Sequence, residues 1–573
     1  MKSNLPLNFI LALLVAGLVV CPCNLAQAES ALSKQGMVAT VHPLATDVAV
    51  AVLEKGGNAV DAAIAAGLML GVVDNFNSGI GGGCFILIRR ADGRVVAIDG
   101  REMAPAQAHR DMFLKDGMPE GALSRVGALA SGVPGALAAY EQAVRDHGRT
   151  AWSELVLPAA QVAEEGFVLD TVYARKIAAV ASSLAQFEAS AATMLDENGK
   201  PHGVGHLHKQ PQLARTYRQV AEGGSRAFYQ GPFAEACHAW MKQHGGIMTR
   251  EDLAAYRPRL REPIVSRYRG HTIVGFPSPS SGGIHVAQIL NMLEPFDLGR
   301  MYHQDRARFT HVVAEAMKLA FADRAHWLGD ADFSPVPRGL IDRRYGHQLS
   351  RMINPLQATP LAGHHLPPNA KEDLFPSELD KHTTHIAVAD REGNWVAMTQ
   401  TVNTTFGSKV IIPGTGVVMN NEMDDFSIAP GTPNAFGLVG GEANSVAAGK
   451  RPLSSMSPTI VLRRGKPVLT LGAAGGPKII TQVLLGIICH IDLQMSIDEL
   501  MEFERFHHQW KPDRLYLESS LALKLRAELE QRGHSATRLP SAGVTQAISR
   551  DPRSGQFHGA HDPRVPGKAK GPK

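Results

Sequence analysis

The chain has 573 residues, 44% of them hydrophobic and 20% charged, the balance of a globular protein and not of a disordered or fibrous one. A formal net charge of +4 is small for this length, and the basic residues are dispersed apart from the closing "RVPGKAKGPK", so no patch of the kind that nucleic acid requires is present. That tail reads as a solvated end. At about 150 residues per domain three or four domains would be expected, but large layered α/β folds break that rule and the count stays open.

The first thirty residues carry Lys2, the apolar run "FILALLVAGLVV" and "AQA" before Glu29, the pattern of a secretory signal with its small-x-small cleavage site. The reading is a signal peptide over residues 1–28 and an exported chain, periplasmic or secreted. The apolar run is shorter than the roughly 20 residues of a membrane span, so no stable anchor is expected. Cys21 offers a lipoprotein alternative, which Val20 fits poorly because such processing favours a small residue there. Cys84, Cys237 and Cys489 remain, an odd number at wide spacing with no CxxC motif, and the 24 histidines include no HExxH. No disulfide framework, metal or cofactor is therefore expected.

Along the mature chain, "HPLATDVAVAVLEKGGNAVDAAIAAGLMLGVV" shows helical apolar spacing broken by "KGGN", which predicts two packed helices. The second is apolar on nearly every side and belongs under a sheet. "NFNSGIGGGCFILIRRADGRVVAIDGREMAP" leads a glycine run into a strand, a turn at "ADG" and a second strand ending at Arg101. Because the glycines precede a strand, a dinucleotide fingerprint fails on context, and a tight turn against backbone is the better reading. Residues 103 to 350 read mainly as helix, with a short strand region around "YRGHTIVGFP"; the back of the chain is richer in hairpins.

A polar linker with three prolines, "LPPNAKEDLFPSELDK", then runs into "HTTHIAVADREGNWVAMTQTVNTTFG", two alternating runs joined by a five-residue turn. A hairpin centred on Glu392 pairs positions whose numbers sum to 784, which sets Thr401 opposite Thr383, with Asn403 two residues on along the same face. Such a threonine pair is commonly plain sheet stabilisation. It gains chemistry if the bond between His382 and Thr383 breaks. A threonine hydroxyl is a weak nucleophile that needs an adjacent base, and an N-terminal threonine carries one in its α-amine, whose pKa is near 8. Thr383 could attack the preceding carbonyl itself, and Thr401 could orient it.

Acyl transfer also needs an oxyanion hole. "PVLTLGAAGGPKIITQVLLGI" offers strand, glycine turn and helix, with Pro477 as the first helical position and the amides of Gly475 and Gly476 at the helix start. A P-loop fails on spacing. "MNNEMDDFS" groups Glu422, Asp424 and Asp425 without the pattern of an EF-hand; Asp425 and Ser427 could also merely cap a helix. "KRPLSSMSP" sets Ser454 and Ser455 before the strand "TIVLRR". Between these lies a Gly-, Pro- and Asn-rich stretch of about twenty residues, the length of a functional lid. The implied ligand carries a cation for the acids and an anion for Arg101 and the serines.

In their order, "GGNAVDAA", "GIGGGCF", "REMAP", "TTH", "NTTFG", "NNEMDDFS", "PNAFGLVGG", "RPLSSMSPTIV" and "GAAGGPKII" resemble the γ-glutamyltranspeptidase family of N-terminal-nucleophile hydrolases, and the resemblance runs from "GMVATVHPLAT" to "GAHDPRVPG". It implies an αββα sandwich built from a large chain, 29–382 with its linker at 366–382, and a small chain, 383–573, cut from one precursor. It implies Thr383 as nucleophile, Thr401 as its partner hydroxyl, and Gly475 and Gly476 as the oxyanion glycines. Arg101, Ser454 and Ser455 match positions that hold the substrate α-carboxylate; Asn403, Glu422 and Asp425 match those around its α-amine. The substrates implied are glutathione and other γ-glutamyl compounds, with water, an amino acid or a dipeptide as acceptor and no cofactor. Phe436 stands where some bacterial relatives carry a lid tyrosine able to reach the Asn403 position. The oxyanion segment "GAAGGPK" also departs from relatives that have serine or proline before the glycines. Two alternatives are an acylase acting on glutaryl-type β-lactam side chains and, from another class, an exported solute-binding protein.

Overall fold

The computed structural model describes residues 30–370 and 383–573; the signal segment, Cys21, His382 and most of the linker lie outside them. Two seven-stranded sheets dominate. One runs Ser30–Ser33, Phe557–His561, Val544–Arg550, Lys466–Ala474, Thr459–Arg463, His271–Gly275, Ile264–Tyr268. The other runs Lys568–Lys570, Gly36–Thr40, His385–Asp390, Trp395–Thr401, Gly83–Arg89, Val95–Gly100, Arg259–Arg261. Both are antiparallel throughout. Strands from before and after position 383 share each sheet, so the two parts of the sequence build one core.

The hairpin shows why four layers form. Ile386, Val388, Val396 and Met398 pack against helices, while the alternate residues Ala387, Ala389, Trp395 and Ala397 meet the inner face of the other sheet. Strands buried on both faces lose the polar alternation of a half-exposed sheet and read as continuous apolar runs. The helices Pro43–Glu54, Ala59–Val73, Trp152–Glu165 and Pro211–Tyr229 cover the second sheet, and Gly282–Leu293, Arg306–Trp327 and Lys478–Ile491 cover the first. As expected, every residue of Ala59–Val73 is buried. Asn58 and Asp61 form a capping box at its start, satisfying amides that an all-apolar helix could not.

The tail departs from its expectation. Lys568–Lys570 is an edge strand paired with Gly36–Thr40, and the Lys568 and Lys570 ammonium groups sit 2.7 and 3.2 Å from Asp47. The strand covers a sheet edge that would otherwise present unpaired amides and carbonyls. Cys84, Cys237 and Cys489 are buried free thiols, and among the described residues no helix is long and apolar enough to cross a membrane.

Candidate active site

The hairpin register is the expected one: His385 pairs with Thr399 and Ala389 with Trp395. Thr384 and Gln400 exchange both backbone hydrogen bonds, so one further step sets Thr401 across from the buried Thr383. The Thr401 Oγ1 accepts the amide of Asn403 at 2.7 Å. There the ladder stops, because Asn403 adopts a left-handed φ of 77°; it is a turn residue and not a further position on the strand face. Its Nδ2 donates to the Asn421 carbonyl at 2.9 Å, and its Oδ1 is buried without a hydrogen-bond donor. The glycine run supports this corner as a tight turn: a Cβ on Gly82 would lie 1.7 Å from the Thr401 carbonyl oxygen, so no larger residue lets the two backbones approach.

Thr384 faces the opposite side of the sheet and donates its hydroxyl to Asp74 Oδ2 at 2.9 Å. Burial pushes the Asp74 carboxyl up to about 7. A cavity of about 270 Å³ opens beside them, lined by Asp74, Phe76, Lys176, Thr384, Gly475 and Arg564 among others. Gly475 and Gly476 turn with φ of 135° and 61°, and the following helix is Lys478–Ile491 with Pro477 as its N-cap, so the helix begins one residue later than expected. Across the sandwich the His385 ring lies against Gly472 of the strand Lys466–Ala474, which leads into the glycine turn, since a Cβ there would be 2.3 Å from Nδ1. The threonine strand and the glycine turn therefore end on the same side of the sandwich. A Cβ on Gly476 would meet the Phe436 ring at 2.7 Å; Phe436 thus presents an aromatic edge to the glycine turn. Asn434 Oδ1 holds the Phe436 amide at 3.0 Å.

The acids and the arginine do not form two separate poles. Glu422–Asp425 is a 3-10 turn, not a helix cap, and it wraps around Arg101. The guanidinium Nη1 lies 2.5 Å from Glu422 and 3.1 Å from Glu102, and Nη2 lies 3.2 Å from Asp425. Three carboxyl groups thus share one fully buried guanidinium. Burial drives Glu102 well above the carboxylate range, with the Glu422 charge adding to the rise; burial also pushes Glu422 up to about 7, with Arg101 opposing the rise and Asp425 adding to it. Asp424, held by Ser124 Oγ at 2.8 Å and the Ala435 amide at 2.9 Å, is pushed up to about 6 by burial.

The sequence reading missed the cation beside the serines. Arg324, buried within Arg306–Trp327, donates to Ser281 at 3.0 Å and to Ser455 at 3.5 Å, and burial lowers it to about 10. Ser454 Oγ accepts the Met456 amide at 3.0 Å. Arg324 and Asp425 line one small cavity of about 10 Å³, which brings the cationic and anionic groups to the same spot. Nothing in "AFADRAHW" distinguishes Arg324 from a surface arginine of an amphipathic helix; only the fold turns it inward.

His385 carries a pH signature. Its Nδ1 is 3.0 Å from Thr399 Oγ1, and burial lowers its pKa from 6.5 to about 3. The folded state then binds fewer protons than the unfolded one between these values, so the stability His385 contributes is intact above pH 6.5 and is lost as pH falls toward 3. His385→Gln is expected to flatten the acid limb of a pH–stability curve by up to ~4 kcal/mol at pH 3; an unchanged limb in chemical denaturation would refute the assignment.

A four-layered αββα sandwich with a threonine at the start of an inner strand, a glycine turn beside it and a charged recess is the architecture of an N-terminal-nucleophile hydrolase. The family described as Gamma-glutamyltranspeptidase matches residues 45–571. The glutathione hydrolase proenzyme of Escherichia coli (strain K12) is 42% identical over 93% of this chain and 91% of its own. The acylase ACY 1 proenzyme of Pseudomonas sp. (strain SE83) is 37% identical over 91% of each. Among solved structures, cephalosporin acylase from Bacillus halodurans superposes with a TM-score of 0.83 at 27% identity, over 95% of this chain and 97% of that one. Helicobacter pylori gamma-glutamyltranspeptidase gives 0.55 at 40% identity, over 56% of this chain and 92% of that one. The chain belongs to the gamma-glutamyltranspeptidase family, and with that the solute-binding reading falls away.

Proposed function

We propose that the chain is an exported, self-processing γ-glutamyltranspeptidase and glutathione hydrolase, with its signal at residues 1–28, its large chain at 29–382 and its small chain at 383–573. In maturation the Thr383 hydroxyl attacks the His382 carbonyl, the peptide becomes an ester, and water hydrolyses it. This frees the Thr383 α-amine and the large-chain carboxylate. In turnover that amine takes the hydroxyl proton as Oγ1 attacks the γ-amide carbon of glutathione or a related compound. The amides of Gly475 and Gly476 hold the oxyanion, and the proton passes to the departing amine. Water then releases glutamate, or an amino acid or dipeptide takes the γ-glutamyl group. Thr401 orients the nucleophile. Arg101, Ser454 and Ser455, joined by Arg324, bind the α-carboxylate; Asn403, Glu422 and Asp425 bind the α-amine. Phe436 covers the glycine turn as the lid.

The observation that carries this reading is the acceptor-rich recess at Glu422 and Asp425, with the undonated Asn403 Oδ1 nearby. An ammonium group donates to the Asn403 Oδ1 and adds a second cation to three carboxyl groups that share one guanidinium; a glutaryl chain, which has none, leaves that amide oxygen without a donor. The acylase reading keeps a place because of the two acylase relatives, and the same assay separates the two. With γ-glutamyl- and glutaryl-p-nitroanilide as substrates, kcat/KM is expected to favour the γ-glutamyl compound by about 10³-fold or more. Asp425→Asn is expected to lower γ-glutamyl turnover by about 10- to 100-fold in kcat/KM. Equal use of both substrates, or an undiminished Asp425→Asn variant, would overturn the assignment.

A further inference from the structure

Away from the threonine, three potential metal ligands converge from both parts of the sequence. His311 and Glu315 stand four residues apart on one face of Arg306–Trp327. His534 follows the helix Ser519–Gln531. The three are buried, and one ligand atom from each lies within 4.8 Å of the others. His311 lies thirteen residues before Arg324 on the same helix, about 20 Å along its axis, so the cluster is separate from the active site.

The hydrogen bonds prepare the two imidazoles for a cation. His311 Nε2 lies 2.7 Å from the Asn354 carbonyl, which fixes the proton on that nitrogen and leaves the Nδ1 lone pair facing His534 Nε2 at 2.7 Å. An imidazole tied to a carbonyl through its outer nitrogen is the arrangement that orients histidine ligands in metal sites. Glu315 Oε2 accepts the Thr359 amide at 2.9 Å, whereas Oε1 is buried with no aligned hydrogen bond. The Lys318 ammonium lies 2.6 Å from Oε1 and 4.0 Å from Asp513, so it has a second carboxylate to turn to when a metal takes Glu315.

We propose that His311 Nδ1, His534 Nε2 and Glu315 form a site for a divalent zinc ion, with water as the fourth ligand. Two nitrogens and one oxygen suit zinc and are too rich in nitrogen for calcium or magnesium. At ligand distances of about 2.0–2.1 Å a tetrahedral ion needs the two nitrogens roughly 3.3 Å apart, so the rings must part by about half an ångström. The ion joins a helix that precedes position 383 and the run 354–359 to His534, which follows it. If the chain is cut before Thr383, as proposed above, zinc ties the two products together.

The test uses untagged mature protein, stripped with EDTA and titrated with Zn²⁺, with metal content read by inductively coupled plasma mass spectrometry alongside the thermal midpoint. One zinc per heterodimer and a raised midpoint are expected. His534→Gln and Glu315→Gln are each expected to weaken binding by at least ~10-fold. Lys318→Gln is expected to tighten it by removing the competing ammonium. The control is a double His202→Gln, His206→Gln variant, because those two rings stack at 3.8 Å outside the cluster and are the obvious adventitious site; it is expected to bind as the parent does. γ-Glutamyl turnover is expected to stay within about twofold with or without zinc, because the site lies outside the proposed chemistry, and this keeps the outcome distinct from the functional reading. Stripped parent protein that rebinds no zinc overturns the proposal, as does zinc retained in full by His534→Gln or lost from the surface double variant. Should His534→Gln fail to fold, unchanged or weaker binding by Lys318→Gln overturns it equally.

Discussion

Thr383→Ala is expected to remain a single uncut chain and to lose γ-glutamyl turnover by about 10⁴-fold or more. The loss comes from missing groups and not from lost packing. Thr383 lies two residues before the inner strand His385–Asp390 and is buried to 8% exposure, and alanine keeps the Cβ that fills that place while removing the attacking oxygen. Without the oxygen the bond after His382 stays intact, so the α-amine that serves as base never appears, and both functions vanish together. Thr383→Ser keeps the hydroxyl and is expected to be cut and to retain measurable turnover. Intact mass and N-terminal sequencing read the processing, and circular dichroism checks that the fold is unchanged. A parent protein found as one stable chain, or an alanine variant cut before residue 383, would remove the mechanism.

What the sequence revealed and what it hid divide along the same physical line. The hairpin register was legible because two short strands and their turn are adjacent in the chain, so turn length fixes the pairing, and the observed partners agree. The all-apolar helix Ala59–Val73 was legible because no solvent-facing stripe interrupts it. Contacts between distant segments were hidden. Arg324 reaches Ser455 only because its helix packs on the sheet whose strand Thr459–Arg463 Ser455 precedes, 131 positions along the chain, and Asp74 meets Thr384 across 310. The separation of an acid pole from an Arg101 pole failed for the same reason. Motif order says that such groups share a site, while their pairing is set by a 3-10 turn whose backbone carries no strong sequence signal. The lysine tail misled because its charge suggested solvent, whereas its backbone was needed at a sheet edge.

The Arg101→Met variant is expected to lose both stability and activity, and the two losses can be separated. Arg101 is the guanidinium within reach of Glu102, Glu422 and Asp425, and removing one partner of a buried ionic cluster costs about 3–5 kcal/mol because the remaining charges are left uncompensated. The acids answer by taking up protons. Their folded-state pKa values, already raised by burial, rise further, so the folded variant binds more protons than the unfolded chain above the ordinary carboxylate range. Stability then falls as pH rises through that window, and the deficit against the parent protein is expected to be larger at pH 8 than at pH 5 in thermal melts. Activity is expected to drop by about 10³-fold or more in kcat/KM, since a substrate carboxylate would meet acids in place of a guanidinium. The double variant Arg101→Met, Glu422→Gln distinguishes scaffold from recognition. Neutralising one acid is expected to restore much of the stability without restoring turnover, whereas recovery of both would mean that Arg101 serves only to neutralise its neighbours and that Arg324 with the serines holds the carboxylate unaided.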